Sequence, residues 1–345
     1  HKHYDGNSIC RLTQNHRIWL ADCDYIKSLP KFHNGVLIFK NGQSAEIPPF
    51  AELERSADFD LTGFSETTLR NYSGVNWHRN ILWTRGEFFV VVDEMEALSE
   101  ADYSFRAVWQ TLGNVELGEG GMAVEQNGER FFIKGLDNTK LKLEDDWVTG
   151  KNWANYEHAE PAVRILQQIS NVRLRKGENH TYFNLLYSPE PGSNLNLTME
   201  RLTDGAVLVR GGDEIVYAGV GESNVTQKIP GGPQVAAAQF QISPSRFSLV
   251  DATSLEWGPV AFTSDHPVSF EYDLNKAQGI ILGNRLSKVT ISAAKGSRIT
   301  LNGKPSEARF GKHLLRFQVG KGKHKLVVLS KIGQSIQAPS HKPGR

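Results

Sequence analysis

The sequence predicts an all-β protein, a large antiparallel two-sheet sandwich followed by a smaller C-terminal β-sandwich. Three observations predict it. Apolar and polar residues alternate with a period of two through most of the chain, while helical stripes are scarce. The alternating runs are short and closely spaced, as strands of stacked antiparallel sheets are. Turn signals separate them, at Asn41-Gly42, Arg85-Gly86, Asn127-Gly128, Asp204-Gly205 and Asn302-Gly303. Asn-Gly and Asp-Gly supply the positive φ that tight hairpins need.

Taken in order, the strand-like runs are Arg17–Asp22, Gly35–Lys40, Asn80–Thr84, Glu87–Asp93, Tyr103–Gln110, Arg130–Lys134, Val163–Ile169 and Thr181–Tyr187. Ala206–Arg210, Glu214–Val220, Val268–Tyr272, Lys288–Ser292, His313–Val319 and Lys325–Leu329 follow. Trp257-Gly258-Pro259 interrupts the pattern, and beyond it the composition shifts toward Lys and Gly. The expected division is therefore a sandwich over 1–258, a small basic β domain over 259–331, and a disordered tail over 332–345.

The chain has 345 residues and a formal net charge of +1, with 39% hydrophobic and 22% charged residues, a composition of ordinary globular proteins. No apolar run reaches the roughly 20 residues of a membrane-spanning helix. Phosphate-cradling glycine loops, dinucleotide fingerprints and basic–aromatic interleaving of the nucleic-acid type are missing, so no nucleic-acid partner is expected. Charge is unevenly spread: Asn284–Arg345 holds 14 Lys and Arg against the single acid Glu307. Such a module suits an anionic partner, and equally suits lysines that block sheet edges. Cys10 and Cys23 are too few for a disulfide framework, and two buried thiols or one bridge are expected.

The chemistry-bearing residues gather at the start. Of 11 histidines, four (His1, His3, His16 and His33) fall in the first 33 residues, with Asp5, Asp22 and Asp24 among them. His16 reads as a plain strand residue. On an extended strand His1 and His3 share a face. Asp22 on a neighbouring antiparallel strand could reach His3, and His33 at the head of a third strand could complete a mixed nitrogen and oxygen set. Two His and one carboxylate form a familiar zinc set with one position left open. His–Asp pairs also occur as plain hydrogen bonds, and both readings stand at this point.

The pattern His-x-His-x-Asp-x-x-Ser over His1–Ser8, then Asp22-x-x-Tyr25, then His33-Asn34 opening a Val-Leu-Ile strand, resembles the start of the β-sandwich of heparinase II/III-type polysaccharide lyases. Asn76–Leu82 running into Glu87–Glu94 resembles that family's next hairpin. The resemblance covers residues 1–135 and thins afterwards. It implies that His1 is catalytic and that His3, Asp22 and His33 hold a structural zinc. Asp24 competes for the carboxylate role, because Cys23-Asp24 stands where relatives commonly carry a glycine before the tyrosine. The resemblance also implies an anionic, uronic-acid-containing polysaccharide as substrate, and a periplasmic or secreted location. Its remaining catalytic groups come from an N-terminal α/α toroid expected upstream of His1, so this chain alone is expected to be inactive.

The reaction implied is β-elimination. The proton at C5 of a uronate is acidified by the adjacent carboxylate, and its removal expels the C4 oxygen. The site must stabilise the charge that builds on the carboxyl group and place a base at C5 and an acid at the leaving oxygen. A neutral His1 imidazole suits the base or the carboxyl contact. Tyr25 either lines the cleft or packs in a hairpin. Trp77 and His78 either stack on sugar rings or belong to the core. The polar stretch Asp145–Pro161, with Trp153, Tyr156, His158 and Glu160, has no strand pattern and receives no role. Two other classes compete: a non-catalytic carbohydrate-binding sandwich, and a zinc hydrolase with an open metal position facing a cleft.

Overall fold

A computed structural model describes residues 6–22, 29–118, 120–136, 139–147, 151–212, 214–311 and 313–329. His1, His3, Cys23, Asp24, Tyr25 and the whole 332–345 tail lie outside the described residues. The chain forms two compact units, one of residues 1–56 and 65–196, the other of 57–64 and 197–345.

The first unit is a sandwich. Its strands are β1 (Arg11–Gln14), β2 (Arg17–Ala21), β3 (Val36–Lys40), β4 (Glu52–Asp58), β5 (Thr62–Tyr72), β6 (Val75–Thr84) and β7 (Phe88–Ala97). They continue with β8 (Ala101–Leu112), β9 (Asn114–Gly118), β10 (Gly121–Gln126), β11 (Glu129–Gly135), β12 (Lys140–Trp147), β13 (Ala162–Leu174) and β14 (Asn179–Tyr187). An eight-stranded sheet runs β4-β5-β6-β7-β14-β11-β10-β9, and a four-stranded sheet runs β12-β13-β8-β3. Their facing side chains make the core: Trp77, Met95 and Tyr182 from the large sheet meet Ile38, Phe105 and Ala107 from the small one. Further along, Val91, Phe131 and Ile133 meet Trp109 and Leu166, with Trp19 and Leu20 of β2 closing that end.

The outer face of the small sheet is also covered. Leu37, Val108, Leu112, Val163 and Ile165 pack there under Ala21, with Phe32, Trp153 and Tyr156 against them. The Asp145–Pro161 stretch is thus in part a lid on this face rather than a bare surface loop. The Tyr156 hydroxyl donates to Gln126 Oε1 at 2.8 Å and accepts from the Ile18 N–H at 2.9 Å.

Two sequence expectations are corrected here. His16 is not a strand residue: β1 and β2 form a hairpin whose turn is Asn15-His16, both at positive φ (52° and 58°), as a tight primed turn requires. Cys10 is exposed rather than buried.

The second unit is a single network of antiparallel strands from Thr198–Thr203 to Gly322–Leu329 around its own core, which includes Phe240, Phe247, Phe262, Phe270 and Leu326. The expected domain boundary falls inside this unit. Arg246–Trp257 and Val260–Asp273 pair as a hairpin, with Trp257 opposite Val260 and Gly258 at φ 58° in the turn. The glycine and proline that interrupt the sequence pattern make a bend within one sheet. Residues 57–64 join this unit because Glu271, buried at 3% exposure, gathers them. Its carboxylate accepts from the Asp60 and Leu61 N–H groups, the Thr62 hydroxyl and the Ser248 hydroxyl.

Candidate functional site: a buried histidine–carboxylate pair

Pro30–Phe32 makes one 3-10 turn, started by a proline whose fixed φ suits that position, and His33 caps it. The chain bends at once, the Gly35 N–H donating to His33 O at 2.8 Å, before entering β3. Asp22 leaves β2 with its N–H on Cys10 O at 3.0 Å. These two chain ends bring His33 Nδ1 within 2.9 Å of both Asp22 oxygens. Both side chains are shielded, the imidazole at 6% and the carboxylate at 14% exposure. His33 Nε2 is buried and has no partner among the described residues.

The bend is pinned from below. Asn34 is fully buried, donates from Nδ2 to Ile9 O at 2.9 Å, and accepts at Oδ1 from the Gln110 N–H at 2.6 Å. Arg79 Nη1 donates to Asn34 O at 2.7 Å and to Asn7 O at 3.1 Å, tying the two segments together. Arg79 is itself held by Asp93, through Nε–Oδ1 at 2.7 Å and Nη2–Oδ2 at 3.0 Å. The Trp77 indole N–H adds a third bond to Asp93 Oδ1 at 2.8 Å. Both ions of this pair are almost fully buried, a state that persists only when every hydrogen-bonding position is matched.

Of the two readings open for Trp77, sugar stacking and core, the structure gives the core, which corrects its place among the substrate-binding candidates. Adjacent residues of a strand point to opposite faces. Trp77 is 1% exposed in the sandwich core, and its ring faces are taken by packing and by the Arg79 guanidinium, 4.9 Å from its centroid. His78 lies on the other face of the large sheet, half-buried in a polar cluster. Its Nδ1 is 2.9 Å from Thr68 Oγ1 and 3.6 Å from Glu66 Oε1, and Glu94 stands opposite it on β7. The hydrogen bond to Glu66 raises the His78 pKa, burial opposes this, and the charge of Glu94 adds to the rise. Burial disfavours ionisation of Glu66, yet its bonds to His78 and Arg55 outweigh that and hold its carboxyl below the usual value. Burial pushes Glu94 up.

Of the residues expected at the site, the structure brings Asp22 and His33 together, packs the Trp77 ring against Gly35 at the same bend, and puts His78 on the other face of the large sheet. His1, His3, Tyr25 and the competing Asp24 lie outside the described residues. Sequence reasoning missed Asn34, Arg79, Asp93 and Gln110. A signal for two of them was present: strand alternation puts Arg79 on the face of Trp77, and Asp93 on the face of Val91. Two opposite charges on adjoining core faces call for each other.

The donor set fits a zinc ion on one observation, the orphaned His33 Nε2. A buried imidazole whose Nδ1 is held by a carboxylate and whose Nε2 lacks a partner has the arrangement common behind metal-bound histidines. Among the described residues no group of three or more His, Cys, Asp and Glu is assembled for a metal. The structure brings together Asp22 and His33, two of the three residues to which the resemblance assigns the metal.

Comparison with known proteins gives fold likeness only. No family model matches the sequence, and no curated protein matches it. Among solved structures the chain is similar to heparinase III, at 14% identity and a TM-score of 0.47, over 60% of this chain and 34% of that one. It is similar to a mutant of the heparan sulfate lyase HepC from Pedobacter heparinus, at 11% identity and a TM-score of 0.46, over 61% of this chain and 36% of that one. It is also similar to the chondroitin AC lyase of Streptomyces coelicolor A3 in complex with chondroitin sulphate. There the identity is 9% and the TM-score 0.47, over 85% of this chain and 39% of that one. The chain spans little more than a third of the length of these proteins.

Proposed function

We propose that this chain is the β-sandwich portion of a polysaccharide lyase that cleaves uronic-acid-containing glycans by β-elimination in the periplasm or outside the cell. The observation that carries this reading is the buried Asp22–His33 pair with its orphaned Nε2, at two positions of the His-x-His…Asp…His-Asn motif. In this reading His3 joins His33 and Asp22 in holding a structural zinc, which fixes the segment that presents His1. The zinc supplies charge and rigidity there. His1, as a neutral imidazole, takes the C5 proton or steadies the uronate carboxyl group. The C4–oxygen bond breaks as the C4–C5 double bond forms, and a proton is delivered to the leaving oxygen by a group of the upstream α/α toroid. No helix among the described residues is long and apolar enough to cross a membrane.

Elemental analysis of the purified chain, with His33→Ala beside it, tests the site. One zinc per chain, lost in the variant, is the expected result, and a metal-free wild-type chain would remove the observation's meaning. The chain alone is expected to form no unsaturated product from heparan sulfate, chondroitin or alginate. Measurable double-bond formation would refute the need for the toroid.

A carbohydrate-binding role without chemistry is favoured by one feature. A cavity of about 430 Å³ in the first unit is lined by Arg130, Phe132, Glu190, Asn194 and Asn196. Such a mixture of an aromatic face and convergent polar groups suits a sugar. Glycan affinity that survives His33→Ala and falls with Phe132→Ala would support this second reading.

A further inference from the structure

We infer that the second unit carries an anion-binding sheet face, built on Lys288, Arg309 and Arg316, that fits a sulfated or carboxylated polysaccharide. It extends the polysaccharide reading above to a second surface, in which neither zinc nor His33 takes part.

The face follows from strand register. Ser287–Ser292 pairs with Leu314–Val319, which pairs in turn with the short edge strand Arg309–Gly311. Val289, Ile291, Leu315, Phe317 and Val319 turn inward to the core of the unit. The residues between them therefore point outward. Arg316 stands opposite Arg309 on one side and Thr290 on the other, and Thr290 stands opposite Thr263 of Val260–Asp273. Lys288 lies opposite Gln318, two residues along from Arg316. Three cations thus share one face with two hydroxyls and a carboxamide. Lys288, Arg309, Arg316, Gln318 and Thr263 are all exposed. Pairing of Ser287 with Val319 also brings Arg285 and Lys321, both exposed, to the end where Lys288 sits.

Two arginines directly opposite each other repel, so the sheet gains nothing from placing them there. Blocking of edge pairing accounts for Arg309 alone. Arg316 is one strand in from the edge and Lys288 is two strands in. Among the described residues no ion pair engages Lys288, Arg309 or Arg316. Two acids border the face: Asp265, which accepts from the Lys288 N–H at 2.7 Å, and Glu307, two residues before Arg309.

An anion that bridges the arginines turns their repulsion into binding, and the planar guanidinium suits a carboxylate or a similar oxyanion. The aromatic residues of these three strands, Phe310 and Phe317, alternate to the inner side. No ring of theirs is placed to stack a nucleic-acid base. Cations flanked by hydroxyl and amide groups, without rings, match a charged sugar chain.

The test is binding of heparin and of alginate to the whole chain by titration calorimetry, at low and at higher salt. Wild type is compared with the triple variant Lys288→Gln, Arg309→Gln, Arg316→Gln. A control of equal charge, Arg298→Gln, Lys323→Gln, Lys325→Gln, removes three exposed cations from other strands. An exposed charge contact is worth at most about fivefold, so the triple variant is expected to bind heparin about 10–100-fold more weakly. Its salt dependence should be smaller as well, and the control should bind nearly as wild type does. Binding of alginate beside heparin would show that carboxylates suffice, and binding of heparin alone would show that sulfates are needed. Thermal melts establish folding, and Arg316→Glu alone decides if the triple variant does not fold. Equal losses in both triple variants, or no binding by wild type, would overturn the inference. So would single-stranded DNA bound as tightly as heparin through the same three residues. A chain that holds zinc but binds no heparin would lose this inference alone, and one that binds heparin without zinc would lose only the metal reading.

Discussion

Two of the histidine–carboxylate pairs in the first unit, His33–Asp22 and His78–Glu66, differ in what surrounds them. His33 meets Asp22 in a shielded place, with one ring nitrogen bonded and the other buried without a partner among the described residues. His78 meets Glu66 on a half-open sheet face, with Thr68, Glu94 and Arg55 nearby. The residue types are alike and the chemistry is not. A surrounded but incomplete pair is a place for a guest, whereas a pair whose neighbours are further charges is a titrating patch. Burial and unmet hydrogen bonds, more than the presence of a histidine beside an acid, separate the two.

The hardest way to break the comparison is to remove what holds the first pair in place. Arg79→Met leaves Asp93 buried without its counter-ion, and a destabilisation of about 3–5 kcal/mol is expected by chemical denaturation. Combining it with Asp93→Leu is expected to recover much of that stability, because the stranded charge is gone. Zinc binding is not expected to recover, since the bonds from Arg79 to Asn7 O and Asn34 O remain lost. Recovery of both would show that the bend does not depend on Arg79.

Asn34→Ala comes next. It removes the acceptor of the Gln110 N–H and the donor to Ile9 O, both in buried surroundings. A loss of about 1–3 kcal/mol in unfolding free energy is expected, with weaker zinc binding. A variant as stable as wild type would mean that water replaces the amide.

Much of this was legible in the sequence. Alternation and turn pairs gave the all-β class, and the spacing of Asp22 and His33 singled out the two residues that meet. What alternation carried was not always used: it separates Trp77 from His78 and unites Trp77 with Arg79. Other features are beyond a linear reading. Gln110 looks like one more polar residue near the end of a strand. Only the outer cover of the small sheet, built from Ala21, Phe32 and residues far along the chain such as Trp153 and Tyr156, turns it into a buried amide. The boundary expected at Trp257-Gly258-Pro259 failed for a related reason. A turn and a linker use the same residues, and pairing across them decides which one they form.

A smaller effect is expected from Asp22→Asn. If Asp22 orients the ring through Nδ1–H, the amide oxygen still accepts that bond, and zinc affinity drops about 10–100-fold with one zinc still bound at saturation. If Asp22 is a ligand, as proposed above, saturation itself is lost. Titration calorimetry of the variant separates the two.

The smallest effect belongs to the other pair. His78 has a raised pKa, so the folded chain holds its proton at pH values where the unfolded chain has released it. Its contribution is fully present below the ordinary histidine value near 6.5 and is lost as pH rises through the raised folded value. Unfolding free energy is therefore expected to decline modestly from about pH 6 to pH 8, and His78→Gln is expected to flatten that decline. The pair is partly open to solvent, whose screening limits the change to about 1 kcal/mol or less. Glu94 gives a competing slope of the same sign, because burial raises its pKa and its protonated form is favoured in the folded chain. A decline that persists unchanged in His78→Gln but vanishes in Glu94→Gln would move the titration from the imidazole to the carboxyl group.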